Sequence, residues 1–308
     1  MDERDRAELA EAVYLFGNAV RAPGCGPVDI DALVRTGLHE SVCTAMLRIL
    51  AVHDLLGFDG KSFTLSPANK EAQRRILECI DERTRVHCEG FSTKALDEAH
   101  FFFGSISELE CEIYARCNFP VTYEMGQEAA KHIDISGQNV LELGGNSGGF
   151  GTALLERGKA RRYTVVDMKI PCAVGNEYKE RTGAAIAFEE GDVFALKPGR
   201  VRYDRVILMN LLHDFDDAKC LQILRGSIAQ CAANAEFIVV EDVLTGNLEP
   251  VAAVLHGLRL AVECRGGGQR TIAEMARLFS EIGCKLAETI RLNEIHALLV
   301  FGRGDNER

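Results

Sequence analysis

At 308 residues with 47% hydrophobic side chains, the chain is long enough for two domains of ordinary size, each with its own core. A formal net charge of -11 gives no long-range pull toward phosphate backbones or anionic lipid, so nucleic acid and membrane are excluded as expected partners. The eleven cysteines contain no Cys-x-x-Cys pair, and behind the charged N-terminus no run approaches the ~18 apolar residues of a membrane helix; reduced core thiols in a cytoplasmic protein are expected.

From Ala7 to Val20 the apolar residues Leu9, Val13, Phe16 and Val20 recur at helical spacing, and the stretch ends in the breaker Ala-Pro-Gly-Cys-Gly-Pro. Two more helical patterns, Asp29 to Thr36 and Glu40 to Leu56, lead into Gly57 to Ser66, whose alternation predicts a hairpin about Asp59-Gly60. Three helices and a small hairpin predict a winged-helix unit. Helices are expected over Lys70 to Arg83 and Lys94 to Glu112. The second carries Phe101, Phe102 and Phe103 in a row, more aromatic surface than one helix face holds, so it is expected to pack between domains or against a second subunit.

From about Val121 the pattern alternates between helix and buried strand. Helices are predicted at Met125 to Ile133, Gly149 to Glu156, Asp217 to Gln230 and Thr271 to Ile282. Strands are predicted at Asn139 to Leu143, Tyr163 to Asp167, Ala185 to Glu189, Arg205 to Met209, Glu236 to Glu241, Leu286 to Arg291 and Ala297 to Phe301. This is an α/β fold: a Rossmann-like parallel sheet covered on both faces, closed by a C-terminal antiparallel hairpin and preceded by a mostly α-helical domain that ends near residue 105. Residues 304–308 are expected to fray. In such sheets the ligand sits at the carboxyl ends of the strands.

The first of those ends carries the densest signal, Val140 to Thr152, where Gly144, Gly145, Gly148 and Gly149 let backbone approach a ligand at a helix start. Such a turn alone also serves as a plain strand-to-helix connection. Glu142 separates the candidate ligands: a carboxylate beside the turn repels pyrophosphate but pairs with the cationic amino group of a methionine moiety, which favours S-adenosylmethionine over a dinucleotide. Asp167 closes the second strand, followed by Met168, and can accept both ribose hydroxyls; a helix cap is its plainer role. After the third strand, Asp192 is placed to accept the adenine amino group, with Val193 or Phe194 against the ring.

The fourth strand runs into Asn210-Leu211-Leu212-His213-Asp214-Phe215-Asp216-Asp217, which places a histidine beside the expected cofactor. With an ordinary pKa near 6.5, His213 can take a proton from a hydroxyl as its oxygen attacks a methyl group. Asp216 and Asp217 read as caps of the next helix, which accounts for the acids without a metal. Glu241, at the end of the fifth strand, can orient the imidazole and stabilise its protonated form, or be a solvated strand end. His256, on the segment leading to Gln269, could line the pocket but is better explained as a packed or solvent-facing helix histidine; His39, His53, His87, His100, His132 and His296 share no ligand-like spacing.

Taken in order, Val-Leu-Glu-Leu-Gly-Gly-Asn-Ser-Gly-Gly, Gly-Asp-Val-Phe, Leu-Leu-His-Asp-Phe-Asp-Asp, Ile-Val-Val-Glu-Asp-Val-Leu and Gly-Gly-Gln-Arg-Thr resemble the small-molecule O-methyltransferases of the caffeate and hydroxyindole type. The resemblance is firm over about Val121 to Arg291 and loose before it. It implies a winged-helix domain (1–105) for dimerisation and closing the substrate site, a methyltransferase domain (106–308), and a homodimer with a small-molecule methyl acceptor. It implies His213 as base, flanked by Glu241 and position 269, and a metal-independent reaction. For the cofactor it implies contacts at Glu142, Gly144, Gly145, Gly148, Asp167, Met168, Asp192, Val193, Phe194 and Asn210.

Three positions depart from that pattern. Asn146 stands where glycine is usual, a mild change because Asn tolerates left-handed backbone. Met209 replaces a lysine near the adenine. Gln269 stands where a second glutamate is usual; it hydrogen-bonds without adding charge, which predicts a weaker base and a more acidic acceptor. Two rival readings keep other chemistry in view: the same fold and cofactor with N-, S- or C-methylation or a non-methylating reaction, or a ligand-sensing DNA-binding regulator. The second needs a basic recognition helix, and Glu40 to Leu56 carries only Arg48 as a cation.

Overall fold

The computed structural model describes residues 3–19, 25–97, 101–196, 199–264 and 266–303. The frayed tail expected at 304–308, the first half of the breaker after the first helix, and His100 lie outside the described residues. The chain divides into two compact units. The first holds the chain up to Ser105 together with His213–Asp216 and Val243–Ile272; the second holds Ile106–Leu212, Asp217–Asp242 and the chain from Ala273 on.

Helix α1 (Glu3–Ala19) buries Leu9, Val13 and Phe16, one apolar stripe at the predicted spacing. Strand β1 (Gly26–Pro27), α2 (Ile30–Val34), α3 (Glu40–Val52), β2 (Gly57–Phe58) and β3 (Phe63–Leu65) follow, with β1 and β2 pairing antiparallel on either side of β3. The hairpin turns at the expected place because Asp59 Oδ1 accepts the N–H groups of Lys61 at 2.9 Å and Ser62 at 2.7 Å.

Beyond the hairpin the helices differ from the sequence expectation. Helix α4 (Pro67–Cys79) stops at Ile80, and α5 (Glu82–Leu96) restarts at once because Asp81 caps it through Thr84 N–H. The helix expected over Lys94 to Glu112 is not continuous. Asp97 leaves α5 in extended conformation, Phe102–Ser105 forms a single turn (α6), and α7 (Glu108–Ala129) opens at Ser107 in a reciprocal cap with Glu110. Phe101 instead makes an isolated bridge with Cys264 and sets its ring 6.1 Å from that of Phe215. Helix α7 also runs through Pro120, which forfeits one backbone bond without ending the helix.

The second unit then alternates strand and helix: β4 (Asn139–Leu143), α8 (Gly149–Arg157), β5 (Arg162–Asp167), α9 (Lys169–Thr182), a helix absent from the sequence expectation, β6 (Ile186–Glu190), β7 (Tyr203–Met209), a 3-10 turn (Leu212–Asp214), α10 (Asp217–Ile228) and β8 (Cys231–Leu244). Helix α11 (Val251–Glu263), which packs on α3, and β9 (Arg270–Thr271) precede α12 (Ile272–Ser280) and the hairpin β10 (Cys284–Arg291) and β11 (His296–Arg303). The sheet order is β10-β11-β8-β7-β4-β5-β6, parallel from β8 to β6 and antiparallel at β11 and β10, with β9 alongside β8. Val140, Val165, Ile207, Ile238 and Leu298 of the strands form one core with Met125 and Ala129 of α7 and Phe150 and Leu154 of α8. That core fixes the carboxyl ends of β4, β5, β6 and β7 in a row.

Candidate active site

Four of those strand ends build the cofactor side, all within the second unit. The turn after β4 is held across strands: Gly144 N–H donates to Val166 O at 2.9 Å, and Asn146 N–H donates to Asp167 Oδ2 at 2.7 Å. Asn146 sits at φ +52, the left-handed backbone that asparagine tolerates. Gly148, at φ +79, opens α8, and a Cβ there would come within 2.6 Å of the Phe188 ring, so only glycine serves.

Asp167 does more than end β5. Its Oδ1 accepts Met168 N–H at 2.7 Å and its Oδ2 holds the turn, leaving each oxygen a second lone pair of the kind ribose hydroxyls need. Burial pushes its carboxyl up to about 6, against the lowering effect of those two N–H groups. Gly191 N–H donates to Asp167 O at 3.0 Å, which sets Asp192 one residue beyond. Asp192 Oδ1 accepts Phe194 N–H at 2.8 Å, so it shapes its own turn, and it borders a cleft of about 530 Å³ lined also by Val166, Gly191 and Arg162.

Glu142 lies beneath the turn. It is 1% exposed, and a Cβ on Gly145 would sit 2.6 Å from its Cδ. Its Oε2 accepts the Tyr163 hydroxyl at 2.9 Å, while Oε1 has no hydrogen-bond partner among the described residues. Burial first, then the nearby Asp167 charge, push its acid up to about 8, with the Tyr163 hydroxyl opposing. A buried acceptor with a raised pKa and one idle oxygen suits an incoming ammonium group. Asn210, at φ +46, is a second such place: its Oδ1 is buried without a partner among the described residues.

Glu241, 1% exposed on β8, spends Oε1 on backbone, accepting Leu211 N–H at 3.1 Å and Leu212 N–H at 2.9 Å. It therefore anchors the chain that leads into His213.

The candidate base His213 belongs to the first unit. His213 O accepts Gly268 N–H at 2.8 Å, and a Cβ on Gly267 would collide with the same carbonyl, so the glycine run before Gln269 lies flat against the histidine backbone. Arg270, 9% exposed, donates through Nη2 to Phe215 O at 2.7 Å, while Arg48 donates through Nη1 to Gln269 O at 2.9 Å. Gln269 itself is buried against α11 at Gly257. One acid beside the imidazole within this unit is Asp214, with Oδ1 3.5 Å from His213 Nε2. The sequence does not single out Asp214, because nothing local separates it from Asp216 and Asp217; a partner adjacent in sequence to a candidate base was the available signal.

A family model for an O-methyltransferase domain matches residues 107–285. Acetylserotonin O-methyltransferase of Bos taurus is 30% identical over 146 residues, 47% of this chain but only 41% of that protein. A mitomycin biosynthesis 6-O-methyltransferase of Streptomyces lavendulae is 26% identical over 289 residues, 86% of this chain and 82% of that protein. Among solved structures, an O-methyltransferase family 2 protein from Planctomyces limnophilus, in complex with apigenin, superposes with a TM-score of 0.81 at 16% identity, over 98% of this chain and 95% of that one.

Proposed function

This chain belongs to the O-methyltransferase domain family, and on that premise we propose that it transfers a methyl group from S-adenosylmethionine to an oxygen of a small hydroxylated or carboxylated metabolite. The observation that carries the reading is Glu142. A buried carboxyl with an idle oxygen beneath a glycine turn suits the ammonium group of a methionine moiety, which would draw off its proton and pair with the carboxylate. When bound, the cofactor supplies an electrophilic methyl group on a sulfonium. Asp167 and the turn it ties down hold the ribose, and Asp192 with Val193 and Phe194 borders the adenine. His213 orients the acceptor hydroxyl and takes its proton, and the charge this places on the imidazole is met by Asp214.

The small antiparallel sheet and helices α1 to α3 support reading residues 1–105 as a winged-helix domain that closes the acceptor site, with residues 106–308 as the methyltransferase domain. Exposed Leu109, Ile113 and Val121 along α7 support a homodimer. Free thiols throughout the chain fit a cytoplasmic location.

The test is direct: incubate the protein with S-adenosylmethionine and a panel of phenols and aromatic carboxylic acids. The expected product gains one CH2 in mass with one S-adenosylhomocysteine per turnover. Methylation confined to amines or thiols, or turnover without mass gain, overturns the reading.

A further inference from the structure

Two groups approach Asp214 Oδ1, one from either side of it in the chain. His213 Nε2 lies 3.5 Å away, and the thiol of Cys264 donates to the same oxygen at 3.2 Å. Cys264 caps α11 and is 3% exposed. Its own N–H reaches Leu260 O at 2.8 Å, its carbonyl takes Gly267 N–H at 2.6 Å, and it bridges to Phe101, so the backbone that carries the thiol is held by three contacts. Burial first, then the Asp214 charge, push the thiol well above its ordinary value, so it stays S–H and remains a donor.

A donor to a carboxylate oxygen offsets part of its charge and occupies one of its lone pairs. What the thiol takes from Asp214 is withheld from a protonated imidazole. We propose that Cys264 is a positioning residue that, through Asp214, lowers the proton affinity of His213. With the neutral Gln269 nearby, the site is then matched to acceptors that carry an acidic proton, such as carbonyl-conjugated phenols or carboxylic acids. The choice of acceptor rests on the reading of His213 as the base; the effect on the imidazole does not.

Other charged and titratable groups of the described residues around this turn make contacts that do not use the thiol. Arg270 is spent on Phe215 O, and Glu263 pairs with Lys94 at 2.9 Å. Asp216 and His39 both border Gly266, and Glu241 holds the N–H groups of Leu211 and Leu212. Because alanine and serine differ in the donor they offer Asp214, the contrast between the two variants reports on the Cys264 to Asp214 bond.

The experiment is an NMR titration of the His213 imidazole in the full chain, isotopically labelled at histidine, for wild type, Cys264→Ala and Cys264→Ser. Alanine removes the donor, and the imidazole pKa is expected to rise by roughly half a unit, about threefold in proton affinity. Serine supplies a stronger O–H donor, and its titration is expected at or below wild type. The limb of the kcat/KM profile set by His213 should follow, with cofactor affinity unchanged. An unmoved titration in both folded variants, or a rise in both, overturns the proposal. A titration that moves as expected while the rate profile stays fixed supports the proposal and overturns the assignment of His213 as base.

Discussion

The glycine turn after β4 and the turn that carries His213 are built on opposite plans. Between Glu142 and Gly149 the cradle is mostly local backbone: a left-handed Asn146, a left-handed Gly148 and N–H groups bonded to β5. Around His213, by contrast, the fixing contacts come from far along the chain, from Arg48, Cys264, Gly268 and Arg270. A local cradle tolerates distant change, whereas a turn held by long-range contacts is exposed to it. The two regions should therefore fail separately.

The expected break that reaches stability as well as turnover is Arg270→Met. It leaves the Phe215 carbonyl buried without its donor, a loss of about 1–3 kcal/mol. Melting temperature should fall by several degrees and kcat by roughly tenfold, with S-adenosylmethionine affinity within about twofold of wild type. A parallel loss of cofactor affinity in binding calorimetry would join the two regions and contradict the contrast.

Glu142→Gln sharpens the cofactor side. Because burial raises this acid to about 8, the folded protein favours the neutral form, so its stability declines as pH rises from the ordinary carboxylate range through about 8. The glutamine variant should show a flatter melting curve against pH over that window. At pH 7 an arriving ammonium should draw the proton off, so calorimetry in buffers of different ionisation enthalpy should show between about half and one proton released on cofactor binding, and none in the variant. Equal release in both would remove Glu142 from the cofactor contact.

Gln269→Glu is the smallest effect and acts on the base side alone. An added buried carboxylate should raise the His213-dependent limb of the rate profile by roughly half a unit or more and favour less acidic phenols. An unchanged limb would make position 269 irrelevant to the base.

What the sequence made legible follows the same division. Strand β4 was predicted residue for residue, and the glycine turn and Asp167 follow from local pattern, as does the hairpin at Asp59, because each depends on neighbours within a few positions. Helix α9 carries Pro171 in its first turn and Gly175 in its middle, which conceals its periodicity, yet Gly175 is there because Phe188 packs against it. The break between α5 and α7 lay hidden behind the run of three phenylalanines, and the Ser107 to Glu110 cap was the signal that marks it. Asp214 had only its adjacency to His213 as a mark and Cys264 had none: their pairing spans 50 positions and exists only in the fold.

The central claim is that one region holds the cofactor while another handles the proton, and two variants measured side by side test it. Asp167→Ala should weaken S-adenosylmethionine binding by about 10- to 100-fold, while His213→Ala should bind it normally and lose about 10²- to 10⁴-fold in kcat with the best acceptor found. If His213→Ala keeps near-full turnover, or if both variants lose cofactor affinity alike, the account is wrong.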